Sequence, residues 1–134
     1  MKKIILVLTI LALPAVAWLM KPGYFPMHDD LQAMRQLQMA KCFDDWQIPC
    51  RWVPDMGYSY GYPLFNFYPP LPYYLGQVFH TFGFSYVDIV KILGVIVFLA
   101  SVATMYLLAS EFFGPLGGAL SSMLYLYAPY HSVD

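Results

Sequence analysis

The sequence predicts an all-α polytopic membrane protein with three transmembrane helices and a long extracytoplasmic first loop. Three observations carry that reading. The chain is 60% hydrophobic and only 11% charged, against about 25% charged residues in an ordinary soluble domain. Three uncharged runs approach bilayer length: Ile4–Met20 with 17 residues, and Ile92–Ser110 and Phe112–Tyr130 with 19 each. At a helical rise of 1.5 Å per residue, the two longer runs reach about 28 Å, close to one hydrocarbon core. Between the first and second runs lies a tyrosine- and proline-rich stretch that cannot continue a helix. The net charge of −1 argues against a nucleic-acid-binding surface.

The first run has two readings. Lys2-Lys3, the apolar stretch and Ala15-Val16-Ala17 mimic a signal peptide with its cleavage site. Trp18-Leu19-Met20 carry the apolar run past that site, and Pro22 follows, which favours an uncleaved signal-anchor. Lys2 and Lys3 place the N-terminus in the cytoplasm. The spans are then 4–20, 89–110 and 112–130, with the loop 21–85 outside. The inner turn Glu111–Pro115 holds no Lys or Arg, so the orientation rests on those two lysines. Three helices could hardly enclose a lipid-linked substrate. Residues 1–134 are therefore expected to be the N-terminal part of a larger multi-pass domain.

In the loop, Asp29 or Asp30 can cap a helix running to about Phe43, because Asp accepts hydrogen bonds from the free N–H groups of a first turn. Leu31, Met34 and Leu37 form its modest apolar face, suited to the membrane surface or to packing against the spans. From Ile48 to Pro72, prolines and glycines predict no regular structure. The uncharged run Met56–Phe79 is as long as a span, but its prolines would leave backbone unpaired in lipid. It reads as an interfacial loop leading into a helix over Leu71–Phe82. Six of the 12 tyrosines fall between Tyr58 and Tyr74, and tyrosine suits that depth because its ring is apolar and its hydroxyl stays wet.

The residues that could carry chemistry cluster in this loop. Adjacent carboxylates repel, and each raises the other's pKa unless a cation or a helix N-terminus compensates. Asp29 and Asp30 are thus either a general base with a metal or phosphate-side ligand, or a helix cap with a solvated neighbour. His28 could orient one carboxylate or bind metal. Cys42 and Cys50 are the only cysteines; outside the cytoplasm their short separation favours a structural disulfide. Arg35, Lys41, Arg51 and Lys91 are candidate phosphate contacts. Arg51, beside Cys50 and Trp52, is the most attractive because a planar guanidinium could be held there. Its alternative is an interfacial, snorkelling arginine. His131 and Asp134 would emerge on the same side as His28–Asp30. No P-loop, dinucleotide fingerprint, zinc motif or Ser/His/Asp signature is present, which disfavours a soluble-nucleotide enzyme.

The strings His28-Asp29-Asp30, Gln47-Ile48-Pro49-Cys50-Arg51-Trp52-Val53-Pro54-Asp55, Gly61–Gly76 and Ala128-Pro129-Tyr130-His131 together resemble a bacterial membrane protein family. That family is labelled "6-pyruvoyl-tetrahydropterin synthase-related" and is similar to the GT-C glycosyltransferases; the label implies no pterin chemistry. The resemblance implies a multi-pass bundle in the bacterial plasma (inner) membrane that moves a sugar from a polyprenyl-phosphate donor to an extracytoplasmic acceptor in cell-envelope glycan synthesis. Carried over, Asp29 matches the first carboxylate of the superfamily's acidic pair and Asp30 the second. Asp29 would act as base, Asp30 would hold a divalent ion such as Mg or Mn, and Arg51 would meet the phosphate. His28, Tyr62, Tyr68, His131 and Asp134 complete the expected substrate-binding set. The superfamily pair is often Asp-Glu, whereas here it is Asp-Asp preceded by His, and Trp46 stands where a glycine-like turn is expected. The alternative is a non-catalytic membrane protein that binds or transports lipid-linked glycan on its aromatic loop.

Overall fold

The computed structural model describes residues 2–24 and 31–128. They are mostly helical, and no strand occurs among them. The elements are α1 (Lys2–Val16), a 3-10 turn (Ala17–Met20), α2 (Gln32–Asp44), the single turn α3 (Leu64–Phe67), α4 (Leu71–Thr81) and α5 (Tyr86–Leu126). They form two compact units, one from Met1–His28 with Gly94–Asp134 and the other from Asp29–Leu93.

The first unit is built from α1 and most of α5. Leu8 and Ala12 share one face of α1, four residues apart, and pack with Val102, Tyr106 and Leu126. Helical spacing puts such pairs on one stripe, which is why they meet. Element α5 is interrupted at Gly114, whose φ of 70° and ψ of 178° are non-helical. That combination is open almost only to glycine, and Pro115 removes the next backbone donor. Beyond the break the chain folds back. A Cβ built on Gly118 would stand 2.9 Å from the Ser110 Cβ and 3.0 Å from the Tyr106 carbonyl oxygen, so only a glycine lets the two arms approach. The Tyr127 hydroxyl donates to the Leu11 carbonyl at 2.7 Å. Outward positions of α5 are apolar: Leu107, Leu108, Phe112, Phe113, Leu116, Leu120 and Leu124 are all exposed.

Among the described residues, α5 is the one helix long and apolar enough to cross a bilayer, and just 17% of its most apolar window is buried. That exposure is compatible with a membrane protein. The expected first span is shorter, an apolar helical stretch over Leu6–Met20. The expected spans 89–110 and 112–130 lie within one broken helical element up to Leu126, and the end of the third falls outside the described residues.

The second unit corrects the reading of its first helix. Helix α2 begins at Gln32, and its N-cap residue is Leu31, which offers no side-chain cap. The anticipated face of Leu31, Met34 and Leu37 is not the buried one: Leu31 is exposed, whereas Arg35, Gln36, Gln38, Met39, Ala40 and Cys42 are buried. Helix α4 packs against α2. The Gln36 side-chain amide donates to the Tyr73 carbonyl at 3.1 Å, and a Cβ on Gly76 would fall 2.2 Å from Gln36 Oε1 and 2.8 Å from Ile89 Cγ2. Segment 48–72 is more regular than its prolines suggest. Val53 and Tyr62 exchange backbone hydrogen bonds as an antiparallel bridge, at 3.0 and 3.1 Å, and α3 supplies a helical turn. A core of Met39, Cys42, Cys50, Val53, Met56, Leu64, Phe65 and Tyr73 holds the loop to the helices.

Candidate functional site

The polar groups of the second unit are set by two tight turns. In the first, Trp46 adopts a positive φ of 56°, and Gln47 N donates back to the Cys42 carbonyl at 2.8 Å. The Gln47 side-chain oxygen then accepts from the backbone N–H groups of Arg51 and Trp52, at 3.2 and 3.0 Å. Cys42 and Cys50 are joined across this loop, their Cα atoms 5.5 Å apart. Cys50 N donates to the Tyr74 hydroxyl at 2.8 Å, tying the loop to α4.

The second turn is the tip of the Val53–Tyr62 hairpin. Gly57, Tyr58, Ser59 and Gly61 all take positive φ, at 64°, 57°, 67° and 72°. Two consecutive non-glycine residues in that region are strained, and such strain persists only when surrounding contacts enforce it. The contacts are the bonds from Tyr60 N to the Gly57 carbonyl at 3.1 Å and from Gly61 N to the Met56 carbonyl at 2.9 Å. Gly61 also lies under Trp52, whose indole nitrogen would be 2.6 Å from a Cβ there. The tip carries Tyr58 at 99% exposure, its ring packed on nothing.

Asp55 anchors this hairpin to α2. Its Oδ2 accepts from the Gln38 amide at 2.8 Å and pairs with the Lys41 ammonium. Its backbone N–H donates to Gln38 Oε1 at 3.2 Å. The hydrogen bond from Lys41, then that from Gln38, holds the Asp55 carboxyl below the usual carboxylate range. Beside it opens a groove of about 690 Å³, lined by Met34, Asp55, Met56, Tyr58 and Tyr62 among others.

A second polar cluster lies on the inner face of α2. The Arg35 guanidinium carbon sits 4.1 Å from the centroid of the Tyr68 ring, a cation–π geometry. Tyr68 in turn leans on Tyr73, their centroids 6.1 Å apart. The Tyr73 hydroxyl donates to Gln32 Oε1 at 2.5 Å, and burial pushes its pKa up to about 12. Arg35 and Lys91 are both buried, at 8% exposure each.

Of the residues expected from sequence, His28, Asp29, Asp30, His131 and Asp134 lie outside the described residues. Arg51 is exposed, Tyr62 lines the groove and Tyr68 lies beneath Arg35. These do not converge on one point: Tyr62 belongs to the hairpin groove and Tyr68 to the Arg35 cluster. Lys41, a candidate phosphate contact, is instead engaged by Asp55. No group of three or more His, Cys, Asp or Glu side chains comes together among the described residues. Sequence reasoning missed Asp55 and Tyr58, because both owe their setting to a hairpin that only its turn glycines announce. The paired glycines Gly57 and Gly61, flanking a tight turn, were the available signal. No family model, curated protein or solved structure matches the chain.

Proposed function

We propose that the protein is a multi-pass membrane protein of the bacterial plasma membrane that transfers a sugar from a polyprenyl-phosphate donor, in the manner of the GT-C glycosyltransferases it resembles. The observation that carries this reading is the buried Arg35, held over the Tyr68 ring and close in sequence to Asp29 and Asp30. A preorganised guanidinium suits a phosphate leaving group, because its planar fork matches phosphate oxygens and it stays charged when desolvated. The apolar segments on either side of the second unit along the chain supply the lipid setting.

In the proposed reaction the acceptor hydroxyl oxygen bonds to the anomeric carbon. The bond from that carbon to the lipid-phosphate oxygen breaks, and its electron pair leaves with the phosphate. Asp29 takes the hydroxyl proton, and the guanidinium offsets charge on the departing phosphate. Arg35 is better held than the exposed Arg51 for that role. A Mg or Mn ion, where bound, would be held by Asp30 and would add electrophilic assistance to the departing phosphate.

Asp29→Asn keeps the size of the side chain and removes the proton acceptor. Transfer of radiolabelled sugar from a polyprenyl-phosphate donor in membranes should fall by about 10²-fold or more, with expression unchanged. A wild-type rate in both Asp29→Asn and Asp30→Asn would end the catalytic reading. The second reading, a non-catalytic carrier of lipid-linked glycan, would then stand; the exposed rings of Trp46, Trp52, Tyr58 and Tyr60 favour it.

A further inference from the structure

We infer that the groove beside the Val53–Tyr62 hairpin is a carbohydrate subsite, in which a neutral pyranose ring lies against Tyr58 and Tyr62 and donates hydroxyl hydrogen bonds to Asp55. It takes its ligand class from the lipid-linked sugar reading; of its residues only Tyr62 belongs to the expected substrate-binding set, and none of them moves a proton or meets the phosphate in the proposed transfer.

The walls decide what fits. Tyr58 and Tyr62 offer aromatic surface, and Met34 and Met56 offer polarizable apolar surface, which suits the C–H face of a sugar. Orientation needs a fixed polar group, and Asp55 is one: both described side-chain bonds go to Oδ2, from Gln38 and from Lys41. Among the described residues no such bond goes to Oδ1, which can therefore accept from a ligand. The Lys41 ammonium neutralises the carboxylate, so the groove has no net charge to attract a cation. A polyol, which donates hydrogen bonds and carries no charge, is the better match.

The turn geometry supplies a second argument. Tyr58 and Ser59 both hold positive φ, at 57° and 67°, and Tyr58 is 99% exposed. A solvent-exposed tip could carry glycine or asparagine there without strain. Placing a tyrosine in that conformation positions a large ring that does nothing for the core, and such outliers cluster at ligand clamps.

The test uses the whole protein in phosphatidylcholine nanodiscs free of sugar-based detergent. Saturation-transfer NMR is recorded with methyl β-glucoside, methyl α-mannoside and N-acetylglucosamine, each alone. At least one should receive saturation at its ring C–H protons. In Tyr58→Ala, a change that removes no packing, the affinity should weaken by about tenfold, the equivalent of about 1.4 kcal/mol. Asp55→Asn should weaken binding as well. Sugar binding without transfer activity would overturn the catalytic reading and keep this one. Transfer activity with no saturation of any of the three glycosides would do the reverse. Equal binding in wild type and Tyr58→Ala overturns the subsite. So does preferential binding of tetramethylammonium, which would make the groove a cation cage. Quenching of the tyrosine emission by brominated lipid that is smaller in Tyr58→Ala than in wild type, with no sugar binding, overturns it in favour of a membrane anchor.

Discussion

Tyr73 shows how much a single buried hydroxyl ties together. It is 4% exposed, its carbonyl receives Gln36 and its hydroxyl serves Gln32. Burial raises its pKa from the ordinary 10.0 to about 12, so the unfolded chain loses this proton before the folded one does. The stabilisation is therefore complete below pH 10 and is lost as pH rises from 10 to about 12. Urea unfolding followed by Trp46 and Trp52 fluorescence should show stability falling across that window. In Tyr73→Phe the fall should be shallower, and stability at neutral pH should be lower by about 1 kcal/mol for the lost hydrogen bond. Equal alkaline slopes in the two proteins would assign the loss to other tyrosines. Nothing local to Tyr73 announces this role, since Gln32 and Gln36 reach it from far along the chain.

At the scale of elements, α2 and α5 were legible to different degrees. The existence of α2 follows from its composition, but its buried face does not. Apolar spacing points to Leu31, Met34 and Leu37, whereas the inward positions mix apolar Met39, Ala40 and Cys42 with polar Arg35, Gln36 and Gln38, whose partners come from the hairpin, Tyr68 and α4. Buried polar groups are tolerated only when paired, and pairing is a tertiary fact. Helix α5 is the converse case, because Gly114-Pro115 marks its break in the sequence. Gly114 holds a conformation closed to residues with a Cβ, so Gly114→Ala should cost about 1–3 kcal/mol of backbone strain. A cysteine pair placed at Thr104 and Tyr125, which line one hollow between the two arms, reports the fold-back. Oxidative cross-linking of that pair should be efficient when the break keeps its glycine and reduced when Gly114→Ala is added. Equal yields would show that the arms meet without the glycine.

For the whole molecule, the proposed orientation places Cys42 and Cys50 outside the cytoplasm. After mild reduction, an impermeant maleimide should label both in intact cells. Labelling that needs lysis would reverse the orientation, and with it the side on which Asp29 and Tyr58 work. The mainly helical class and the long apolar helix follow from the sequence by itself, because an excess of apolar residues in uninterrupted runs leaves the backbone no partner but its own helix. The helix over Leu71–Thr81 is equally legible from its proline-rich start. What the tertiary structure alone decided is which polar groups meet. Asp55 finds Lys41 and Gln38, and Arg35 finds Tyr68. Each pair joins residues well separated along the chain, and only closure of the hairpin and the packing of α4 on α2 brings them together.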